Sequence, residues 1–224
     1  MVRNGTGGRR HPISSADVPS VVARSELRRR LRERRRAISG SRRRRANQVI
    51  LARLFALAAY RGARHVALYW PADGEVDLRA VAAAARRDGK TLYLPVVGRG
   101  ETMSFASWTH TASLRPNRFG IPEPRVARRH RVGASRLDLI VLPLVAFDAQ
   151  GHRLGMGGGY YDRALAAHRR RPVLVGAAFA CQEVPRVPAR PWDVPLDEVI
   201  TERGRHACRR FRRQLRPPAA GEFE

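Results

Sequence analysis

Residues 137–165 read LDLIVLPLVAFDAQGHRLGMGGGYYDRAL. The first seven are almost wholly apolar and rich in branched side chains, too short for a core helix and well suited to a buried strand. Glycines then stand at 151, 155, 157, 158 and 159, and residues 160–168 follow with helical spacing. Strand, glycine loop and helix in that order let backbone N–H groups approach an anion closely, with the helix start adding positive potential. Arg153 offers a charge-assisted contact to phosphate, and Asp162 a carboxylate for a divalent ion that bridges phosphates. The spacing fits neither GxGxxG nor a Walker A loop, since Gly155-Met156-Gly157 runs on into Gly158-Gly159-Tyr160 and no GK[ST] follows. A tight, ligand-free connection would also use glycines. The company of Arg153, Tyr160, Tyr161 and Asp162 favours a site.

Beyond this segment, residues 65–70, 91–97, 103–108, 173–179 and 199–201 read as further strands, and 78–87 as an Ala-rich helix. Ahead of them lies a helix beginning at Ser25, nearly unbroken in charge from Arg28 to Arg36. A second helix after 39–41 turns apolar through Val49, Ile50, Leu54 and Leu57. Residues 114–124, with three prolines and a glycine, read as a loop. Strands alternating with helices of about ten residues predict a single α/β domain: a mostly parallel open sheet with helices on both faces. Residues 1–20 read as a disordered basic tail, 21–203 as the domain, and 204–224 as a basic then Pro/Ala-rich extension that begins as a helix.

The 224 residues include 43% hydrophobic side chains, enough for a real core, and 28% charged ones, which argues against wholesale disorder. Lys+Arg number 44 against 19 Asp+Glu, and Lys90 is the only lysine. No apolar run approaches the roughly 18–20 residues of a membrane span, and the N-terminus has no secretory h-region. Cys181 and Cys208 make neither a disulfide framework nor a zinc set. A cytoplasmic protein, monomeric and without membrane contact, is the expectation.

The 137–165 segment resembles the signature of the 5-formyltetrahydrofolate cyclo-ligase (5,10-methenyltetrahydrofolate synthetase) family, in which a DLIxxPxxAFD strand precedes GxRLGxGGGYYDR. Residues 138–143, 146–148 and 151–163 match it nearly position for position. Arg24, Leu27, Arg28, Leu31 and 34–39 are similar to the family's opening helix, with Arg24 where Lys is usual. The run 69–76 (YWPADGEV) resembles its folate-contacting segment, and 119–124 (FGIPEP) its FGIxEP turn, a structural loop bordering the site. Residues 192–197 (WDVPLD) resemble its late (H)DVPLD element, with Trp192 in the place of the more usual His.

The resemblance implies ATP- and Mg²⁺-dependent closure of 5-formyltetrahydrofolate to 5,10-methenyltetrahydrofolate. It implies ATP contacts from Arg24, Arg28, Arg153, Leu154, Gly155, Met156, Gly157, Gly158, Gly159, Tyr160 and Tyr161. Folate contacts would come from Trp70, Glu75, Met156, Gly157, Gly158, Gly159 and Tyr160, and the metal would be held by Asp162 and Asp193. Arg153 and Tyr160 would serve catalysis directly. An aromatic face such as Trp70 can stack on a pterin, and a carboxylate such as Glu75 can accept its ring N–H groups. A rival reading takes the arginine runs as the footprint of a nucleic-acid-binding protein. No aromatic residues interleave them, so such binding would be non-specific and electrostatic. A family member with lost or altered activity is a third reading.

Overall fold

The computed structural model describes residues 18–166 and 171–208. Its centre is an eight-stranded sheet in the order β12-β11-β10-β7-β1-β2-β3-β6. The four inner pairings, β11-β10, β10-β7, β7-β1 and β1-β2, are parallel, and antiparallel strands finish both edges. The strands are β1 His65–Ala67, β2 Thr91–Val97, β3 Met103–Ser107, β6 Arg131–Val132, β7 Leu139–Leu142, β10 Val173–Ala177, β11 Glu198–Ile200 and β12 Arg205–Ala207. Two small hairpins stand outside the sheet: β4 Leu114–Pro116 with β5 Pro122–Pro124, and β8 Ala146–Phe147 with β9 Arg153–Leu154.

Both faces are covered, and the side-chain alternation of each strand shows why. Val66, Leu139, Val141, Val175 and Ile200 enter one core with Ile50, Leu54, Tyr60, Val81 and Ala85. Their neighbours Ala67, Ile140, Leu142, Leu174 and Val199 point to the opposite face and pack with Phe147 and Leu165. The first face is thus closed by α2 (Gly40–Ala56), α3 (Ala58–Gly62) and α4 (Arg79–Arg87), the second by α5 (Tyr160–Ala166) and the β8-β9 hairpin. The expected doubly covered, mostly parallel sheet is the observed one. The apolar run at 139–142 is continuous because β7 is buried on both sides.

Three local expectations change. The first helix, α1, runs Val18–Arg36, so it starts in residues read as tail, with Pro19 harmless in its first turn. Ser25 does not cap it. Its Oγ instead donates back to Val22 O at 2.8 Å, inside the helix. The 114–124 loop is a hairpin whose turn is held by Asn117, while Glu123 Oε1 accepts from Asn117 Nδ2 at 2.6 Å and Val97 N at 2.9 Å.

Past Arg203 the chain makes an edge strand rather than a helix. The turn closes through Thr201 N–H to Gly204 O at 2.9 Å, and Arg205 pairs with Glu198 at 2.5 Å. Cys208 is then buried against the second core. The rest of the expected tail and extension, residues 1–17 and 209–224, lies outside the described residues, as do residues 167–168 of the predicted helix.

Candidate active site

The chain leaves β1 toward β2 on one side and β7 toward β10 on the other, so the topological switch lies between β1 and β7. In open α/β sheets ligands bind in the crevice beyond the carboxyl ends of strands at such a point. The two segments singled out in the sequence emerge there: 68–76 after β1, and the β8-β9 hairpin with its glycine loop after β7.

The first segment turns sharply at Asp73-Gly74, with φ 50° and 73°, as an Asp-Gly pair allows, and Glu75 N–H closes it on Ala72 O at 3.0 Å. Asp73 is the hub of an arginine cluster. It accepts from Arg32 at 2.7 Å, Arg35 at 2.8 Å and Arg36 at 2.5 Å. Arg35 is fully buried and also donates to Asp73 O and to Leu144 O, both at 3.1 Å. It therefore ties the β1 turn to the segment after β7.

Glu75 sits 3.8 Å from Arg35 and accepts Ala72 N–H at 3.0 Å. Burial pushes its carboxyl up to about 7, against the lowering effects of that hydrogen bond and of Arg35. Its charge also helps raise the Tyr161 hydroxyl above its ordinary value, after burial. Glu75 and the glycine-loop helix thus share one electrostatic environment. The folded state holds this proton far beyond the ordinary 4.5, so stability falls as pH rises from about 4.5 to about 7, and the cost is fully present above that range. Glu75→Gln is expected to flatten this slope in thermal midpoints taken across the window, whereas curves parallel to the parent's would contradict it.

The second segment carries most of the remaining residues. Gly157, at φ 108°, takes a backbone conformation that side-chain-bearing residues avoid, and Arg28 lies beside it. Arg28 Nε donates to Gly155 O at 2.9 Å. Met156 is 54% exposed on the loop. Tyr160 accepts a hydrogen bond from Arg118 and meets Phe119 edge-on at 6.0 Å, so the β4-β5 hairpin tip borders the loop. Leu154 is fully buried beside Leu31, leaving only its backbone to a ligand.

Sequence reading gives Arg153 to phosphate, but its buried guanidinium faces Val194 O and Asp162, the latter at 2.7 Å. Asp162 Oδ1 also takes Val194 N–H at 3.0 Å. Asp193 Oδ2 likewise accepts from Arg24 at 2.8 Å and from Arg190 N–H at 3.0 Å. Each carboxylate keeps its second oxygen outside these bonds. No group of three or more His, Cys, Asp or Glu able to hold a metal occurs among the described residues. Two oxygens from two carboxylates fit Mg²⁺, which commonly takes few protein ligands and completes its octahedron with phosphate and water.

Arg24, Arg28, Leu31 and Arg35 follow one another at steps of four, three and four, so they form one stripe of α1 laid across this edge. Sequence reading gives no individual role to Arg35, Asp73, Arg118 or Arg190. The stripe spacing is the signal that marks Arg35. Trp70 is the residue not brought to the loop. It packs edge-on against Trp108 at 5.9 Å, with Arg79 over its ring at 5.8 Å. An open groove of about 330 Å³ runs beside it, walled by Arg43, Asn47, Glu75 and Arg79. Among the described residues no hydrogen bond, ion pair or ring contact joins Trp70 to the glycine loop. His152, next to that loop, is held by Asp148 at 3.1 Å, a turn-fixing contact.

The chain is an α/β protein in which a glycine loop and an arginine-faced helix meet at a switch point, the place where ligands bind in open α/β sheets. The profile of the 5-formyltetrahydrofolate cyclo-ligase family matches residues 20–202. A 5-formyltetrahydrofolate cyclo-ligase of Escherichia coli is 37% identical over 176 residues, covering 76% of this chain and 96% of the relative. One from Haemophilus influenzae is 33% identical over 180 residues, covering 79% and 96%. The solved structure of Aquifex aeolicus 5,10-methenyltetrahydrofolate synthetase superposes with a TM-score of 0.73 at 37% identity, over 83% of this chain and 93% of that one. This chain belongs to the 5-formyltetrahydrofolate cyclo-ligase family of enzymes. Among the described residues no helix is long and apolar enough to cross a membrane.

Proposed function

We propose that the protein catalyses ATP- and Mg²⁺-dependent cyclisation of 5-formyltetrahydrofolate to 5,10-methenyltetrahydrofolate, with release of ADP and phosphate. The observation that carries this reading is the emergence of the Glu75 turn and the glycine loop at one switch point, where Arg35 ties that turn to Leu144 in the segment leading into the loop. One substrate calls for a buried carboxylate that can accept ring N–H groups, the other for a flexible, cation-flanked backbone cradle.

The chemistry explains the need for two sites side by side. A formamide oxygen is a poor leaving group, so N10 cannot close the ring by expelling it. In the first step the formyl oxygen attacks the γ-phosphorus and the bond to ADP breaks. In the second, N10 adds to the activated formyl carbon, loses its proton, and the C–O bond to phosphate breaks, leaving the cyclic amidinium. The protein's task is alignment and neutralisation of charge on the moving phosphoryl group.

In this division of labour the backbone from Gly155 to Tyr161 cradles the phosphates, and Arg24 and Arg28 bring positive charge from α1. Burial, then the charges of Arg24 and Arg190, hold the Arg28 guanidinium below its ordinary value, against the opposing charge of Asp193. Asp162 and Asp193 would hold Mg²⁺, which would supply further charge neutralisation. Arg153 acts as a positioning residue, since it fixes Asp162 and the Val194 carbonyl. Glu75 orients the pterin, Trp70 lines its approach, and Tyr160 with Met156 bounds the space between the substrates.

The test is near-ultraviolet absorbance of the protein with 5-formyltetrahydrofolate, ATP and Mg²⁺, because the conjugated amidinium is present only in the product. Absorbance should rise with all three present and stay flat when any is omitted. A flat trace with folded protein and all three present would sink the proposal.

A further inference from the structure

We propose that Arg190 is a third phosphate-binding arginine of the nucleotide site, standing beside Arg24 and Arg28 and steadied on the indole of Trp192. The inference rests on the nucleotide reading above and adds a residue that the glycine-loop signature does not reach.

The segment from Pro188 to Asp193 closes against the first half of α1. Arg24 donates to Pro188 O and, at 2.8 Å, to Asp193 Oδ2. That same oxygen takes the Arg190 N–H at 3.0 Å, and Arg190 O accepts the Asp193 N–H at 3.0 Å. The backbone of Arg190 is therefore fixed one carboxylate away from the Arg24 guanidinium. Its own guanidinium lies 5.5 Å from the Trp192 ring centroid, and Trp192 is 61% exposed. A large aromatic surface is thus left in solvent with a cation on its face, an arrangement that restrains the long arginine arm.

The charge balance gives the ligand. Arg24, Arg28 and Arg190 gather around a single acid, Asp193, and no ion pair joins Arg28 or Arg190 to an acid among the described residues. The Arg190 charge is felt at Arg28, where it opposes protonation. Arg24 is 7% exposed, and its Nε is buried without a hydrogen-bond partner. Two surplus positive charges and an unused buried donor suit a ligand with several anionic oxygens, and a triphosphate chain meets that demand.

Arg190→Gln keeps the backbone groups that hold Asp193 and removes only the cation. Titration calorimetry on the full chain with Mg²⁺ and ATP should show about tenfold weaker binding, the loss of one charge-assisted hydrogen bond. The deficit should shrink with AMP, which carries fewer phosphates, and Arg190→Lys should recover part of it. In turnover, KM for ATP should rise while KM for folate holds. ATP binding by Arg190→Gln as tight as the parent's would overturn the role of Arg190 alone. A parent that binds no ATP would overturn the nucleotide reading as well.

Discussion

Arg35→Ala is expected to lower stability by about 3 kcal/mol or more, the range for removing one member of a buried ion pair. Four contacts go at once: the Asp73 carboxylate and carbonyl, the Leu144 carbonyl and the nearby Glu75. Asp73 retains Arg32 and Arg36, but Glu75 loses the cation that most opposes its burial. In a domain of this size the thermal midpoint should fall by roughly 6–12 °C. Arg35→Lys keeps the charge but not the three-way fork, and belongs in between. Arg30→Ala, one stripe away on the exposed face of the same helix, should stay within about 0.5 kcal/mol of the parent. Equal midpoints for the Arg35 and Arg30 variants would contradict the description of α1 as a clamp across the sheet edge.

The second large effect concerns Asp162→Asn. The amide oxygen can still accept from Val194 N–H and Arg153, so the fold should survive. What disappears is the carboxylate charge and the second anionic oxygen. Changes to groups that merely orient metal ligands cost about 10–100-fold, and loss of a ligand itself should cost at least about 100-fold in turnover. The variant should also need much more Mg²⁺ for half-maximal rate, with KM for folate little changed. A variant with the parent's Mg²⁺ dependence would remove Asp162 from the metal site.

Much of this architecture is legible in the chain because it is local. The apolar run 139–142 reads as a strand buried on both faces, and the glycines from 155 to 159 as a bend. The matched order of rare residues around them carries the family. The clamp is harder to read because arginine looks the same in a sequence whether it faces solvent or a buried carboxylate. Arg30 and Arg35 stand in one run of charge, and only the stripe through Arg24, Arg28 and Leu31 separates them.

Contacts made by topology are invisible in the same way. Glu75 and Tyr161 are 86 positions apart in the chain and become neighbours because β1 and β7 are adjacent in the sheet. The edge strand Arg205–Ala207 is another case. Its charged, basic sequence suggests a helix, but the tight turn from Thr201 to Gly204 and the Glu198–Arg205 pair give it a strand partner to lie on.

In the proposed mechanism ATP turns the formyl oxygen into phosphate. The most direct measurement uses 5-formyltetrahydrofolate carrying ¹⁸O in the formyl group, with mass analysis of the phosphate released alongside the methenyl product. Each phosphate should carry one labelled oxygen, because the bond that breaks last is the one between the formyl carbon and that oxygen. Phosphate without label, formed in step with product, would contradict it.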